Sequence, residues 1–133
     1  MAGQFTLGKN ERLKSRKLIE QLFNDGKSFT VQPYKIFYLL VDKTHNIQFA
    51  AGVSSKNFKR AVDRNRVKRI TREAYRLQKK ELQDVVEQKK LQLNIFFIYT
   101  GKELPDFNTT KEKVNVILNK MIKIVHENNS SHI

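Results

Sequence analysis

The spacing of apolar residues predicts a helix near the start of the chain, over residues 14–25. Its apolar side chains recur four residues apart and so share one side of a helix. Gly26 follows as a stop signal. The residues on this side are Leu18, Ile19, Leu22 and Phe23.

A second stripe at helical spacing predicts a helix near the end of the chain. Thr109 or Thr110 stands at its start, where a hydroxyl can cap the first turn. The residues facing the core are Val114, Ile117, Leu118, Met121 and Val125.

Runs rich in β-branched and aromatic residues predict four strands. Ser28–Val31 is a short strand before Pro33, and Tyr34–Val41 is a longer one. Ile47–Val53 follows a turn at residues 42–46 and is predicted to be the hairpin partner of Tyr34–Val41. Leu93–Thr100 is apolar throughout, as is typical of a central strand.

Residues 59–76, which read KRAVDRNRVKRITREAYR, predict a strongly basic helix. Residues 79–90 are polar and either continue this helix or fray. Wheel geometry puts Val67, Ile70, Ala74 and Leu77 on the side that docks on a core. The opposite, cationic side carries Arg64, Asn65, Lys68, Arg69, Arg72, Arg76 and Lys79.

The predicted order is α-β-β-β-α-β-α, which favours an α/β (α+β) two-layer sandwich. Its 133 residues form one domain, in which residues 1–11 and 127–133 are expected to be flexible. There is no cysteine, which excludes disulfides and thiolate metal sites and favours the cytoplasm. No segment is apolar enough to span a membrane, and residues 1–17 lack the core of a signal peptide.

The positive charge is concentrated in the basic helix. Residues 56–80 contain eleven of the 26 Lys and Arg residues and only two acids, in a chain of net charge +13. A solvated helix face normally alternates charges of both signs, because like charges four residues apart repel each other. The sequence therefore predicts that this face binds a nucleic acid. A second basic cluster contains Lys9, Arg12, Lys14, Arg16 and Lys17.

A possible binding trough follows from the alternation of side chains along Tyr34–Val41. Phe37 lies on the opposite side of this strand from Tyr34 and Ile36. If the first helix borders that side, Ile19, Phe23 and Phe37 line an apolar trough flanked by cations. Such a trough suits single-stranded nucleic acid, because bases stack on aromatic rings while phosphates meet Lys and Arg.

The sequence contains no recognisable catalytic constellation. His45, His126 and His132 have no metal-ligand spacing, and no nucleophile motif or phosphate-binding glycine loop occurs. We expect a protein that positions a substrate and binds no metal or cofactor of its own.

Residues 61–69, which read AVDRNRVKR, together with Arg72 and Tyr75, resemble the signature of the bacterial ribonuclease P protein component. The spacing agrees on both sides, with Arg-Leu-Lys at residues 12–14 and Lys56 before the signature. The resemblance covers residues 12–123. It implies a fold of the ribosomal protein S5 domain 2-like type, with a left-handed β-α-β crossover.

The resemblance also implies a function. The protein would be the non-catalytic subunit of an endonuclease that removes the 5′ leader from precursor tRNA. The RNA subunit would be the catalyst, using Mg²⁺, while the protein binds that RNA and the single-stranded leader. Ile19, Phe23 and Phe37 would line the leader cleft. The candidate RNA-binding residues are Lys56, Arg60, Arg64, Asn65, Arg66, Lys68, Arg69, Arg72 and Arg76.

Three alternatives stay open. A ribosomal-type RNA-binding protein would be indifferent to a 5′ leader. A DNA-binding factor would place the basic helix in a major groove, although no dimerisation or helix-turn-helix pattern is visible. An enzyme acting alone would need a catalytic constellation that the sequence does not display.

Overall fold

The computed structural model describes residues 11–41 and 46–127. The ends that are expected to be flexible lie outside the described residues, apart from Glu11 and Glu127. Residues 42–45 of the predicted turn also lie outside them. The helices are α1 (Arg16–Asp25), α2 (Ala61–Gln78), α3 (Lys80–Lys89) and α4 (Phe107–Glu127). The strands are β1 (Lys27–Val31), β2 (Tyr34–Val41), β3 (Ile47–Val53) and β4 (Gln92–Tyr99).

The sandwich prediction is confirmed, with one helix more than expected. Residues 79–90 form the separate helix α3, so that the order is α-β-β-β-α-α-β-α. The break falls at Lys79, which ends α2 and precedes the first residue of α3. The four strands form one sheet in the order β1-β2-β4-β3.

The predicted hairpin between β2 and β3 is wrong. β2 pairs antiparallel with β1 on one side and with β4 on the other, while β3 pairs in parallel with β4. The physical reason lies in β4, most of whose residues are buried on both faces of the sheet. A strand that is apolar on both faces is buried best at the centre of a sheet, and β4 therefore lies between the two strands that are neighbours in sequence. The parallel pairing makes the segment between β3 and β4 a crossover that carries α2 and α3.

The main core lies between one face of the sheet and the helices α2, α3 and α4. Ile36 of β2 and Phe97 of β4 are fully buried there. Tyr34 donates its hydroxyl hydrogen to the Thr71 hydroxyl at 2.7 Å, because Thr71 uses its own to bond the Val67 carbonyl. This buried contact ties β2 to α2.

The core-facing side of α2 differs from the predicted stripe. Val67 and Ala74 are buried as expected, but Ile70 is only partly buried and Leu77 is exposed. Two residues replace them in the core, where Thr71 reaches Tyr34 and Tyr75 reaches the sheet. The buried side of the helix is therefore rotated from the predicted stripe towards Thr71 and Tyr75. The last helix keeps its predicted stripe, which is buried throughout.

Helix α1 packs on the opposite face of the sheet. Its Leu22 is fully buried, and its Phe23 contacts rings on β2 and β4 that point away from the main core. Ser15 caps its first turn by accepting a hydrogen bond from the Leu18 amide. The start of α4 is capped by Asp106 rather than by a threonine hydroxyl, since the Asp106 carboxylate accepts from the Thr109 amide at 3.1 Å.

Candidate nucleic-acid interface

The cationic face of α2 is built as the sequence predicts in its central part. Asn65, Arg66, Arg69 and Arg72 are exposed, and Lys68 is partly exposed. Within the described part of the chain, none of these five side chains makes an ion pair or a side-chain hydrogen bond. Their donors therefore point to solvent and are available to an external anion.

The two ends of the predicted cationic face are occupied by contacts within the protein. Arg64 donates to the carbonyl oxygens of Phe58 and Lys59, both at 2.8 Å, and so closes the turn before the helix. Arg76 forms a bidentate pair with Glu73, with its shorter contact at 2.5 Å. Hydrogen bonding to Glu73 raises the pKa of Arg76 above its ordinary value.

Arg60 and Lys56 lie in the segment before α2. Arg60 is exposed and 4.0 Å from the Asp63 carboxylate, whose position in the first turn suits the helix N-terminus. Lys56 is exposed on a loop that is held by its neighbour Asn57, whose amide donates to the carbonyls of Thr100 and Gly101 at 3.0 and 3.2 Å. The start of the basic helix is therefore fixed to the end of β4.

The predicted trough exists on the face of the sheet that carries α1. Phe23 is 41% exposed and meets Phe37 edge to face, with ring centroids 4.8 Å apart. Phe23 also lies 5.4 Å from Phe96 of β4. Lys35 places its ammonium 5.2 Å from the Phe37 ring centroid, in the geometry of a cation–π contact. We call the surface formed by Ile19, Phe23, Phe37 and Phe96 the aromatic cleft.

A cavity of about 510 Å³ joins the aromatic cleft to the cationic face of α2. Its apolar lining includes Ile19 and Phe96, and its cationic lining consists of Arg12, Lys14 and Arg72. Arg72 thus belongs to both surfaces. Phosphates held by the cations and bases placed on the rings are therefore geometrically compatible within one binding path.

The second basic cluster lies at the start of α1. Arg12, Lys14, Arg16 and Lys17 are all exposed, and the first two line the cavity. Lys9 lies outside the described residues. The cluster extends positive charge from the cavity along the first turn of α1.

Phe96 and Lys35 are site residues that sequence reasoning missed. The apolar run of β4 concealed Phe96, because a continuous apolar strand does not reveal which side chains face the cleft. One signal for the position of Phe96 is Gly52 of β3. A β-carbon there would come within 2.8 Å of the Phe96 ring, so only glycine lets that ring lie across the strand.

Two residues in this part of the chain belong to the interior: Tyr75 of α2, and Lys79, which follows the last residue of α2. Tyr75 is fully buried, and burial raises its pKa well above the ordinary value. Lys79, assigned to the cationic side, is 1% exposed and paired with Glu11. Tyr75 is interior because its ring stacks on Phe49 of β3, and Lys79 is interior because its ammonium meets the Glu11 carboxylate of the N-terminal segment.

No group of three or more His, Cys, Asp or Glu residues within residues 11–41 and 46–127 is placed to hold a metal ion. In the same part of the chain, no helix has the length and hydropathy needed to cross a bilayer.

These features define a class of small basic α+β proteins, in which a crossover helix presents cations beside an aromatic cleft on the sheet. A sequence profile of the ribonuclease P family matches residues 7–122. The ribonuclease P protein component of Porphyromonas gingivalis is 43% identical over 110 residues, which cover 80% of each chain. That of Chlorobium phaeobacteroides is 30% identical over 128 residues, covering 87% of this chain and 88% of the relative. The chain belongs to the ribonuclease P protein component family.

Solved structures agree with this assignment. The RNase P protein from Thermotoga maritima superposes with a TM-score of 0.65 at 26% identity, covering 83% of this chain and 96% of that one. The RNase P protein of Staphylococcus aureus has a TM-score of 0.66 at 18% identity, covering 83% and 94%. At that level of identity the second comparison supports the fold alone.

Proposed function

We propose that this protein is the RNA-binding subunit of a ribonuclease P that removes the 5′ leader from precursor tRNA. The exposed cations of α2 bind the RNA subunit, and the aromatic cleft holds the single-stranded leader. The RNA subunit performs the hydrolysis with Mg²⁺ ions, which activate water and stabilise the charge that develops on phosphate. Because precursor tRNA is processed in the cytoplasm of a bacterial cell, that is where we place the protein.

The observation that carries the proposal is the continuity of the two surfaces. Arg72 faces the cavity that Ile19 and Phe96 also line, so that the cationic face and the cleft share a border. A protein that only attaches to a structured RNA needs the cationic face alone. A cleft of aromatic rings at the border of the cationic face can hold unpaired bases by stacking. The bases of a structured duplex are paired and are not exposed to such rings.

The cationic face and the aromatic cleft contribute to binding affinity in physically different ways. Contacts between phosphates and the α2 cations give affinity that is largely independent of sequence and falls steeply with salt. Stacking on the cleft rings contributes ~1–3 kcal/mol per base and tolerates any base. A leader of variable sequence is a substrate that such a combination binds well.

Reconstitution with a bacterial ribonuclease P RNA tests the proposal. At low Mg²⁺ concentration, we expect the RNA with this protein to cleave precursor tRNA at the mature 5′ end, and the RNA alone to cleave it poorly. No stimulation of a competent RNA would favour a ribosomal-type RNA-binding protein. Cleavage by the protein alone would contradict the non-catalytic role.

A further inference from the structure

The described residues contain a buried lysine at the junction of α2 and α3. Lys79 is 1% exposed, and its ammonium forms an ion pair with the Glu11 carboxylate. The side-chain amide of Gln83, on α3, donates to the same carboxylate oxygen at 3.2 Å. Glu11 lies 68 residues before Lys79 in sequence, so this contact ties the N-terminal segment to the crossover helices.

The N-terminal segment next to Glu11 is added to the edge of the sheet. The Leu13 amide donates to the Phe49 carbonyl at 2.9 Å, and Arg12 forms an isolated parallel bridge with Phe49. Leu13 itself is buried. Arg12 and Leu13 therefore attach the N-terminal segment to the edge of β3 through a single bridge, and the ion pair holds the residue just before it.

The residues that follow Glu11 lie in the candidate site or position parts of it. Arg12 and Lys14 flank Leu13 and line the cavity together with Arg72. Ser15, immediately after them, caps α1, which carries Ile19 and Phe23. A shift of residues 11–13 along β3 would therefore move both the cations and the apolar wall of the aromatic cleft.

An ion pair between a buried lysine and a partly exposed glutamate is an unusual way to hold a segment of chain, because desolvation of the ammonium offsets much of the attraction. A methionine at position 79 would fill a similar volume without that cost. What the charges add is selectivity for one arrangement. The ammonium has to stay within reach of its carboxylate, and a slip of residues 11–13 by one position would both carry Glu11 away from it and turn Leu13 out of its buried position.

We propose that the Glu11–Lys79 pair is a latch. It fixes the register of residues 11–13 against β3 and thereby the geometry of the aromatic cleft. Glu11 and Lys79 are positioning residues and do not contact the RNA. The consequence for leader binding rests on the function proposed above. The consequence for the register of Leu13 does not, and it is measurable on the free protein.

The decisive variant is the double substitution Glu11→Gln and Lys79→Met. Glu11→Gln leaves the buried Lys79 ammonium without this carboxylate, and Lys79→Met leaves the partly exposed Glu11 carboxylate without this ammonium. Each single substitution is therefore expected to lower stability. The double variant removes both charges, so its stability returns towards that of the original protein while the latch stays absent. A defect that persists in the stable double variant is therefore a defect of position.

Two measurements test the latch. In the free protein, NMR hydrogen exchange of the Leu13 amide is expected to be at least ~tenfold faster in the double variant, with the Phe97 amide of central β4 as the internal control. In the reconstituted particle, the double variant is expected to lose the gain in affinity that a leader gives over mature tRNA, while its affinity for the RNA subunit changes less than ~twofold. The charge-reversed variant (Glu11→Lys with Lys79→Glu) should recover part of the slow Leu13 exchange and part of the gain in affinity from the leader.

The outcomes are separable. Unchanged Leu13 exchange in the stable double variant would overturn the latch, whatever the RNA measurements give. Faster exchange with an unchanged leader gain would overturn its role in the cleft. If the original protein gives no leader gain, the proposed function fails, and the exchange measurement still decides whether the latch exists.

Discussion

The ring of Tyr75 on α2 lies parallel to the ring of Phe49 on β3, with centroids 4.0 Å apart and an angle of 1° between the planes. Both residues are buried, and Phe97 of β4 packs edge to face against each of them. This stack sits directly beneath the exposed arginines of α2. It sets the rotation of the basic helix relative to the sheet, and hence which side chains of that helix meet a ligand.

Removing the Tyr75 ring should destabilise the whole domain. We expect Tyr75→Ala to lower the free energy of unfolding by about 3–5 kcal/mol, because a large cavity is left beside Phe49. Tyr75→Phe keeps the ring and should cost less than about 1.5 kcal/mol. Urea denaturation of both variants measures the difference. Equal losses would mean that the hydroxyl, rather than the stack, carries the contribution.

The exposed arginines of α2 should contribute to RNA affinity without contributing to stability. We expect Arg66→Ala combined with Arg69→Ala to weaken binding to the RNA subunit and to flatten its salt dependence, because about two phosphate contacts are lost. Lys111→Ala combined with Lys123→Ala, both on the exposed surface of α4, is the control that removes two charges elsewhere. Filter binding at several salt concentrations gives both quantities. A steep, unchanged salt dependence would contradict the assignment of this face.

Arg64 should behave differently from its neighbours on the same helix. Its guanidinium bonds the carbonyls of Phe58 and Lys59, so Arg64→Ala leaves those oxygens without this donor. A loss of ~1.5–3 kcal/mol in the free energy of unfolding is expected, as for hydrogen bonds to charged groups. Thermal and urea denaturation of Arg64→Ala and Arg66→Ala, compared side by side, check this. A stability loss in Arg66→Ala but not in Arg64→Ala would reverse the two roles.

The rings of the aromatic cleft should matter only for substrates that carry a leader. We expect Phe96→Ala, and separately Phe23→Ala, to weaken binding of precursor tRNA by about 1–3 kcal/mol for each stacked base that is lost, and to leave mature tRNA unaffected. Phe29→Ala is a matched control, because Phe29 packs against the main core on the other face of the sheet. Equal weakening for both substrates would mean that these rings serve only packing.

Stability at high pH should report the buried Tyr34 hydroxyl. Burial raises the pKa of Tyr34 to about 12, above the ordinary value of 10.0, despite the opposing hydrogen bond to Thr71. The folded state therefore keeps its proton at pH values where the unfolded chain loses it, and stability falls as pH rises through that window. At pH 11 the expected loss from this residue is about 1.4 kcal/mol relative to pH 8. Tyr34→Phe, measured by urea denaturation at both values, should lack that part of the loss.

Local pattern was enough to predict most of the secondary structure and one important feature of the site. The alternation along β2 separates Tyr34 and Ile36, which lie in the core, from Phe37, which lies in the cleft. Because that alternation is fixed by backbone geometry, the trough could be predicted before its other walls were known. The expected apolar stripe of α4 was confirmed for the same reason.

The errors arose where contacts between distant segments decide the outcome. Strands β2 and β3 are neighbours in sequence, but the insertion of β4 between them depends on where an apolar strand is best buried. The burial of Lys79 required the carboxylate of Glu11, which lies far away along the chain. Neither arrangement leaves a signal in the residues that surround it in sequence.

In the proposed function, one surface of the protein binds the RNA subunit and the adjoining aromatic cleft binds the leader. The most direct measurement is the affinity of the reconstituted ribonucleoprotein for tRNA substrates whose leaders increase in length from none, compared with the RNA subunit alone. We predict that affinity rises with the first few leader nucleotides only when the protein is present, and then levels off once the cleft is filled. If the affinity does not depend on leader length when the protein is bound, the aromatic cleft does not bind the leader.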